Sequence, residues 1–312
     1  MFENDGLSIF GETKSKDALL AMAGIGQGRN YYVNNITGSS DNNGLSWDTA
    51  MDEVTTAITA SETYRALPAT TNEYIRNTIF VQGTGTAYAE CTTLPNYTNV
   101  IGLGANPYGN GAGIARIGLD AHTAETVGGG MYSAGDCRGS YFYNLQFQAS
   151  NNKSAVKVRH IFRTTFENCA FFASGAPVAP PDCGFEITGS AGGLRLINCH
   201  TGTNSGVNSE PLIGLKIAGT YFMNCEVTDC SISGSSSGIY VASGCIYGWH
   251  SIVRNSFIGE GSQECVIGID DNSTTGTIRF YNCFINAADP IDPTEDATRF
   301  VGCMAETGFV AT

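Results

Sequence analysis

The chain has 312 residues, 39 of them glycine, and a formal charge of −13 although only 14% of its residues are charged. This acidic balance, without a basic patch, argues against nucleic-acid binding. The 11 cysteines include no CxxC pair, and with only four histidines the sequence predicts no metal site and no cofactor. Their odd number indicates buried free thiols and folding in a reducing cytoplasm.

The first 29 residues form an arm that precedes the first predicted strand. The start of this arm, Met1–Asp5, lacks the basic residues of a secretory signal. The apolar run Ala18–Ile25 is too short to span a bilayer, so the sequence predicts no membrane contact. Because chain termini fray unless they are tied down, we expect the arm to dock onto a partner.

Residues 30–312 are predicted to form one elongated domain that opens with the strand Tyr31–Val33. A polar turn follows, and a helix is then predicted over residues 49–60, N-capped by Asp48 or Thr49. This helix would present one apolar face, made by Ala50, Val54, Ala57 and Ile58. We expect it to cover the open end of the domain.

A four-residue motif recurs down the second half of the chain: an apolar residue, a variable residue, Asn and most often Cys. Its copies begin at Phe142, Phe166, Leu196, Phe222, Val253, Phe280 and Phe300. The Asn positions are 144, 168, 198, 224, 255 and 282, with Gly302 closing the series, so the steps are 24, 30, 26, 31, 27 and 20 residues. A period in this range indicates a solenoid whose coils bury their apolar faces against one another.

The Asn of the motif is predicted to bend the chain. The residues two positions before it and one position after it both favour the interior, yet side chains on a straight strand alternate between faces. A single left-handed residue reverses that alternation, and Asn and Gly tolerate this conformation. Stacked Asn side chains would hydrogen-bond between coils, beside an inward column made by Cys169, Cys199, Cys225, Cys283 and Cys303.

A second apolar strand precedes most copies of the motif. These segments are Ala155–Val158, Phe185–Ile187, Gly214–Ile217, Gly238–Val241 and Val266–Ile269. Their pattern lacks helical periodicity, so each coil has at least two strands and a corner. Their outward column is Lys157, Glu186, Lys216, Tyr240 and Asp270. Because adjacent coils lie about 4.8 Å apart, the first three residues of this column are predicted to form an ion-pair ladder.

With these elements in view, the chain resembles a right-handed, single-stranded parallel β-helix of the pectate-lyase-like superfamily. The likeness covers roughly residues 30–312 and includes the segments Gly38–Trp47, Thr78–Gly83 and Val100–Gly104 of the first coils. It implies an all-β fold with coils of about 20–31 residues, an N-terminal arm and a capping helix. The superfamily holds polysaccharide lyases, glycoside hydrolases, phage tailspikes and non-enzymatic virion proteins, so the fold does not choose the function.

Apolar residues also occupy positions that the same register points outward. They include Ile197, Met223, Phe257, Phe284 and Met304. The last three are expected to lie side by side on successive coils. A contiguous exposed apolar stripe usually marks an interface, which predicts an oligomer or docking surface here. The alternative is that the long loops 173–182 and 201–211 fold back and cover the stripe.

Two adjacent aspartates, Asp270 and Asp271, resemble the paired aspartates of polygalacturonase-like enzymes. The accompanying motifs Asn-Thr-Asp, Gly-His-Gly and Arg-Ile-Lys are absent from the sequence. Adjacent residues of a strand point to opposite faces, so one aspartate of the pair is expected to lie in a turn. They are therefore candidate catalytic residues only if the protein is an enzyme.

Glu167 and Glu226 are a second candidate pair on different outward columns, and His200 lies between them on the column of Glu226. The register puts the two carboxylates two coils apart on one sheet, a separation of about 10 Å. A carboxylate–histidine–carboxylate group can carry out acid–base work. No nucleophile or metal cluster joins these residues in the pattern, and the alternative is a solvated surface.

Three functions fit the sequence. The first is a non-enzymatic virion structural protein, a homotrimeric phage β-helix that decorates the capsid or forms a short spike. It would assemble in the host cytoplasm, sit on the virion surface and contact other virion proteins through the arm. The alternative is a tailspike-like protein that binds a host surface glycan or degrades it as a glycoside hydrolase or lyase. The third is a free bacterial enzyme related to pectate lyase, but this sequence lacks the residues expected of a lyase.

Overall fold

The computed structural model describes residues 6–9, 12–15, 28–66, 75–89, 93–109, 112–118, 131–149, 152–173, 181–202, 210–245, 250–259, 265–273, 278–292, 299–305 and 308–309. Among the first 27 residues it describes only an antiparallel hairpin of two strands, β1 (Gly6–Ile9) and β2 (Glu12–Ser15). The apolar run Ala18–Ile25 lies outside the described residues, and the docking of the arm stays a prediction.

Three long sheets make up the rest of the fold. Sheet 1 contains β7 (Met131–Arg138), β10 (Val156–Phe162), β13 (Cys183–Gly192), β16 (Ile213–Ile217), β20 (Ser237–Val241), β23 (Ile267–Asp271) and β26 (Asp289–Ile291), and β17 (Tyr221–Met223) pairs with the second half of β13. Sheet 2 contains β3 (Asn30–Val33), β4 (Asn77–Gln82), β5 (Thr98–Leu103), β8 (Tyr141–Tyr143), β11 (Thr165–Glu167), β14 (Arg195–Ile197), β18 (Glu226–Thr228), β21 (Ile252–Arg254), β24 (Arg279–Tyr281) and β27 (Phe300–Val301). Sheet 3 contains β6 (Arg116–Ile117), β9 (Gln146–Ala149), β12 (Ala170–Ala173), β15 (His200–Gly202), β19 (Ser231–Ser233), β22 (Phe257–Gly259), β25 (Phe284–Asn286), β28 (Met304–Ala305) and β29 (Gly308–Phe309).

The chain passes from sheet 1 to sheet 2 to sheet 3 in each complete coil. Within each sheet the neighbouring strands are parallel, apart from β29, which runs antiparallel to β28. This architecture confirms the predicted right-handed parallel β-helix. Each complete coil has three strands, which agrees with the prediction of at least two. No helix in the described part of the chain is long and apolar enough to cross a membrane.

The helix predicted over residues 49–60 begins and ends later than expected. A short 3-10 turn spans Trp47–Thr49, and the α-helix α1 runs from Val54 to Ala66. Ser46, instead of Asp48 or Thr49, caps the 3-10 turn, because its hydroxyl accepts a hydrogen bond from the Thr49 amide.

The later start of α1 follows from the backbone of Met51. The Met51 amide donates to the carbonyl of Tyr32, and Met51 pairs with Val33 as an isolated bridge, so this residue extends sheet 2 and is not helical. The predicted apolar face is otherwise correct: α1 buries Val54, Ala57 and Ile58. The helix packs against β3 and β4 at the first coils.

A left-handed residue turns the chain from sheet 2 to sheet 3, at a position we call corner 2. Its φ angles confirm the predicted bend: 54° at Asn144, 52° at Asn168, 46° at Asn198, 50° at Asn255, 51° at Asn282 and 65° at Gly302. The Asn side chains also stack as predicted. The Nδ2 of Asn168 donates to Asn144 Oδ1 at 2.8 Å, and Asn198 donates to Asn168 in the same way at 3.1 Å.

The copy of the motif at Phe222–Cys225 does not belong to corner 2, which corrects the sequence alignment. Asp229, with φ 55°, takes this place, and its amide donates to the carbonyl of Arg254 on the next coil. Cys230 therefore replaces Cys225 in the inward column, where its thiol lies beside the Cys199 amide at 3.4 Å. Asn224 instead lies at a second left-handed corner.

That second corner, corner 1, joins sheet 1 to sheet 2. Its residues have φ angles of 46° at Tyr97, 64° at Gly139, 49° at Arg163, 67° at Gly193, 52° at Asn224 and 57° at His250. Backbone hydrogen bonds connect successive coils here: the Gly139 amide donates to Phe162 and the Arg163 amide to Gly192. Each coil whose two corners are described thus turns twice through a residue of left-handed conformation.

The interior is filled by ladders of like side chains. The rings of Phe142 and Phe166 stack with centroids 4.4 Å apart and planes 9° apart, and Phe280 stacks on Phe300 at 4.9 Å. Cysteines continue the packing, since all ten described cysteines are buried and free. The small thiol fits beside the corner, where Leu145 and Ser256 occupy the equivalent buried positions of two other coils.

Candidate functional site

Two outward columns of side chains run along the outer surface of sheet 2. One column contains Tyr141, Thr165, Arg195 and Glu226, and the other contains Tyr143, Glu167, Ile197, Thr228 and Arg254. Residues of one column are about 4.8 Å apart, so the second column extends over about 19 Å. We call these two columns the sheet 2 face.

Aromatic residues occupy the start of the sheet 2 face. The rings of Tyr141 and Tyr143 lie parallel, with centroids 6.2 Å apart and planes 15° apart. The Tyr141 hydroxyl donates to Glu167 Oε2 at 2.9 Å, and burial together with this hydrogen bond raises the pKa of Tyr141. Tyr141 therefore stays protonated and in a fixed orientation, while the ring of Tyr143 is exposed.

Charged residues occupy the next coils of the sheet 2 face. Glu226 accepts a hydrogen bond from Arg195 Nε at 3.0 Å on one side and forms an ion pair with Arg254 on the other. Thr228 donates to the same carboxylate at 3.0 Å and accepts from Arg254 Nε. Burial raises the pKa of Glu226, but the bonds from Thr228 and Arg195 outweigh it and lower the pKa overall. Glu226 is thus ionised and held in place.

The structure does not combine Asp270 and Asp271 into a catalytic pair. Both lie in β23, which corrects the prediction that one of them lies in a turn. Asp271 points inward and forms a buried ion pair with Arg299, with 2.6 Å between Oδ2 and Nη1. Asp270 points outward and accepts a hydrogen bond from Asn272 at 2.6 Å. Burial raises the pKa of Asp270, partly offset by that hydrogen bond.

Glu167, Glu226 and His200 are not brought together either. The two glutamates lie on sheet 2 two coils apart, as expected, but Glu226 is opposite Arg195 and not on the column of Glu167. His200 lies on sheet 3, where its ring contacts the rings of Tyr108 and Phe172 at 5.6 and 5.3 Å. Burial lowers the pKa of His200 to about 4, so its imidazole is neutral at pH 7.

A loop near residues 104–109 covers the first part of the outer surface of sheet 3. Gln146 donates to the carbonyl of Pro107 at 2.6 Å, and the Tyr108 hydroxyl donates to the carbonyl of Asn198. Gln146 and Ala170 are buried beneath it. The loops 173–182 and 201–211, predicted for such a role, lie mostly outside the described residues.

The later coils of sheet 3 leave an apolar stripe accessible. Phe257, Phe284 and Met304 are direct neighbours on successive strands, as predicted, and the two phenyl rings stack at 5.7 Å. Phe284 and Met304 are 39% and 44% exposed. The other two residues predicted for this surface lie elsewhere: Ile197 is on sheet 2, and Met223 is in β17, because its motif belongs to corner 1.

On sheet 1 the predicted ion-pair ladder is present. Glu186 lies between two lysines, 3.2 Å from the Lys157 nitrogen and 3.0 Å from the Lys216 nitrogen. Ser154 donates to the same carboxylate at 2.8 Å. These contacts give the ladder a structural role.

The described residues hold no group of three or more His, Cys, Asp or Glu side chains arranged to bind a metal ion.

The sequence pattern identified only part of the sheet 2 face, since it did not single out Tyr141 and Arg195. Both residues lie three positions before a corner 2 residue. Side-chain parity marks that position as outward, like the position two residues later.

Comparison with known proteins tests the fold directly. No protein-family model matches the chain, and no curated protein matches it. Among solved structures, pectate lyase Pel9A superimposes with a TM-score of 0.52 and 15% identity, over 85% of this chain and 65% of the lyase. The protein has a pectate-lyase-like β-helix fold.

Two pectin methylesterases are also similar to the chain. A mutant in complex with a hexasaccharide gives a TM-score of 0.48 at 12% identity, and PemA from Erwinia chrysanthemi gives 0.46 at 11%. Each match covers 91% of both chains. Since this β-helix spans about 65% of the length of the lyase, the activity of the whole lyase does not transfer with the fold.

Proposed function

We propose that this protein binds a polysaccharide along the sheet 2 face. The observation that carries the proposal is the exposed Tyr143 ring beside the fixed Tyr141, Glu167, Arg195 and Arg254 side chains on one flat surface. An aromatic ring packs on the apolar side of a sugar, and neighbouring charged groups bond its hydroxyls or acidic substituents.

The rigidity of the sheet 2 face favours binding. The hydrogen bonds around Glu226 hold Arg195 and Arg254 in their orientations before any ligand arrives. Pre-organised side chains lose little conformational freedom on association, so more of the contact free energy appears as affinity. A parallel stack of strands also presents the same side-chain spacing over several coils, which suits a polymer of repeating units.

The fold supports the same class of ligand. Pectate lyase Pel9A is named for its action on pectate. Carrying a polysaccharide ligand over to this chain is part of the proposal, since a likeness of 15% identity shows the fold alone.

Affinity measurements on variants test this role. In affinity electrophoresis, a polysaccharide cast into the gel should slow the migration of the wild-type protein. Tyr143→Ala should weaken this binding about 2- to 10-fold, the size of one aromatic contact. Tyr240→Ala is the matched control, because Tyr240 is a partly exposed tyrosine on sheet 1. Equal binding by the two variants would contradict the proposal.

Cleavage is tested in the same samples. Reducing ends released by the wild-type protein and not by Glu226→Gln would establish a glycoside hydrolase or lyase. Binding without release would fit a non-enzymatic role. Glu226 is the informative position, because its carboxylate is ionised and faces the proposed ligand surface between two arginines.

A second candidate function is that of a structural homotrimer on a virion surface, decorating a capsid or forming a short spike. The specific observation in its favour is the apolar stripe of Phe257, Phe284 and Met304. Such a stripe is stabilised when a partner covers it, and the arm 1–29 would contact other virion proteins. Light scattering tests the oligomer: a monomeric mass in dilute solution would rule out a stable trimer.

A further inference from the structure

The inward column of cysteines ends in a pair of neighbouring thiols. Cys283 and Cys303 hold the same position on successive coils, because each directly follows the corner 2 residue of its coil, Asn282 or Gly302. β24 pairs with β27, and β25 pairs with β28. The Met304 amide donates to the carbonyl of Cys283 at 2.9 Å. The two cysteines are therefore direct neighbours across adjacent coils.

Ser256 separates this pair from the other thiols of the column. The Phe284 amide donates to the carbonyl of Ser256, so Ser256 occupies the column position before Cys283. Cys283 thus has one cysteine neighbour in the column, and Cys303 is the last member of the column among the described residues. By contrast, Cys199 contacts a cysteine on either side. A disulfide at the end of the column has a single possible pairing.

The spacing of the pair suits a disulfide. Adjacent coils lie about 4.8 Å apart, and disulfides join residues whose Cα atoms are about 4.4–6.8 Å apart. The thiols of Cys283 and Cys303 already contact each other through a hydrogen bond. Gly302 precedes Cys303, and the backbone freedom of glycine permits the small adjustment that brings the two sulfur atoms into bonding distance.

The two thiols of the pair also differ in acidity. The hydrogen bond from Cys283 lowers the pKa of Cys303 below its ordinary value of 9.0, against the opposing effect of burial. The same hydrogen bond, together with burial, raises the pKa of Cys283. Burial likewise raises the pKa values of Cys199 and Cys230. Cys303 is therefore the thiolate of the column, and Cys283 stays a thiol beside it.

Cys303 lies close to solvent although its own side chain is buried. Gly302 and Met304, on either side of it, are both exposed. In the described part of the chain, β27 is the end strand of sheet 2, so no further coil of that sheet covers it. An oxidant as small as hydrogen peroxide needs only a brief local opening of this coil to reach the sulfur.

We propose that Cys283 and Cys303 are a peroxide-sensitive dithiol that closes to a disulfide between the last two described coils. The Cys303 thiolate attacks one oxygen of hydrogen peroxide, and the O–O bond breaks. This step leaves a sulfenic acid on Cys303 and a hydroxide, which takes up the proton lost by the thiol and becomes water.

The Cys283 thiol completes the reaction. Its sulfur attacks the Cys303 sulfur, the S–O bond breaks, and the hydroxyl leaves with the Cys283 proton as a second water. Two electrons pass from the thiols to the peroxide. In a reducing compartment the pair stays as two thiols, so the cross-link forms only where the oxidant is present.

Peptide mapping of the peroxide-treated protein, alkylated without reductant, measures the bond directly. The wild type is expected to yield one cross-linked pair of peptides, containing Cys283 and Cys303, that dithiothreitol separates. Cys303→Ser should form no disulfide. Cys283→Ser should stop at the sulfenic acid on Cys303, which dimedone traps as an adduct. Serine fits this column, because Ser256 is buried there, and Cys199→Ser is the matched control that should oxidise as the wild type does.

Three results would overturn the proposal: no cross-linked peptides from the wild type, a cross-link between other cysteines, or a dimedone adduct that forms on Cys283 in Cys303→Ser as fast as on Cys303 in Cys283→Ser. Melting temperature tests the tie between coils. The oxidised wild type should melt higher than the reduced protein, because the bond joins residues 20 positions apart and restricts the unfolded chain. A lower melting temperature would contradict the tie.

Discussion

At the residue scale, corner 2 shows why this solenoid uses Asn. The left-handed conformation is accessible to Gly, Asn and Asp, but only the Asn side chain both donates and accepts a hydrogen bond. Asn144, Asn168 and Asn198 therefore form a continuous ladder between coils. Asp229 follows them in the column, and its carboxylate has no donor to extend the ladder.

Asp229→Asn is therefore expected to stabilise the protein. The new amide would donate to Asn198 Oδ1 in the geometry of the other ladder bonds, and the gain should be about 1 kcal/mol in the free energy of unfolding. Urea denaturation measures it. Asn224→Asp is the matched control at corner 1, and a lower stability of Asp229→Asn would show that the ladder does not continue past Asn198.

His200 predicts a dependence of stability on pH. Its pKa is lowered by burial to about 4, below the ordinary value of 6.5, so the folded state binds this proton more weakly than the unfolded state. Its contribution is complete above pH 6.5 and is lost as the pH falls toward 4. His200→Phe should flatten the melting temperature in this window, and an unchanged slope would assign the effect to other groups.

At the element scale, Glu186 connects the neighbouring strands β10, β13 and β16 through two lysines. Burial raises the pKa of Glu186, while Lys216 and Ser154 lower it more strongly, and the net shift is downward. A carboxylate with a lowered pKa stabilises the fold above its unfolded pKa, near 4.3. That stability is lost as the pH falls through the lower, folded pKa.

Glu186→Gln should therefore cost about 1–3 kcal/mol at pH 7 and much less at pH 3. Chemical denaturation at the two pH values measures the difference. Glu167→Gln serves as control, since Glu167 bonds a tyrosine on the surface and bridges no lysines. An equal loss at both pH values would assign the effect of Glu186→Gln to packing.

The sheet 1 register could be predicted because strand alternation has a period of two and Lys157, Glu186 and Lys216 share one phase. The alignment at Phe222–Cys225 failed for a different reason. Both corners require a left-handed residue preceded by an apolar strand, so the local pattern of Asn224 fits either one. Tyr108, which covers His200, comes from a loop with no periodicity, and its place follows only from the fold.

At the scale of the whole molecule, the accessible stripe on the later coils is the surface that we propose for assembly of a trimer. Phe284→Ser combined with Met304→Ser removes its two exposed members and should convert a trimer into monomers of unchanged fold. Light scattering and circular dichroism measure both properties. Val266→Ser is the control, since Val266 is an exposed apolar residue outside the stripe. A trimer that survives the double substitution would place the contact elsewhere.

The buried ion pair between Asp271 and Arg299 has a mechanical consequence. Each coil is held chiefly by its neighbours, so a force applied at the C-terminal end would peel the solenoid one coil at a time. Arg299 immediately precedes β27, the last described strand of sheet 2, and Asp271 ends a sheet 1 strand of the preceding coil. When Arg299 is pulled away, the Asp271 carboxylate stays buried without its cation, which costs about 3–5 kcal/mol. This cost sets an early barrier to peeling.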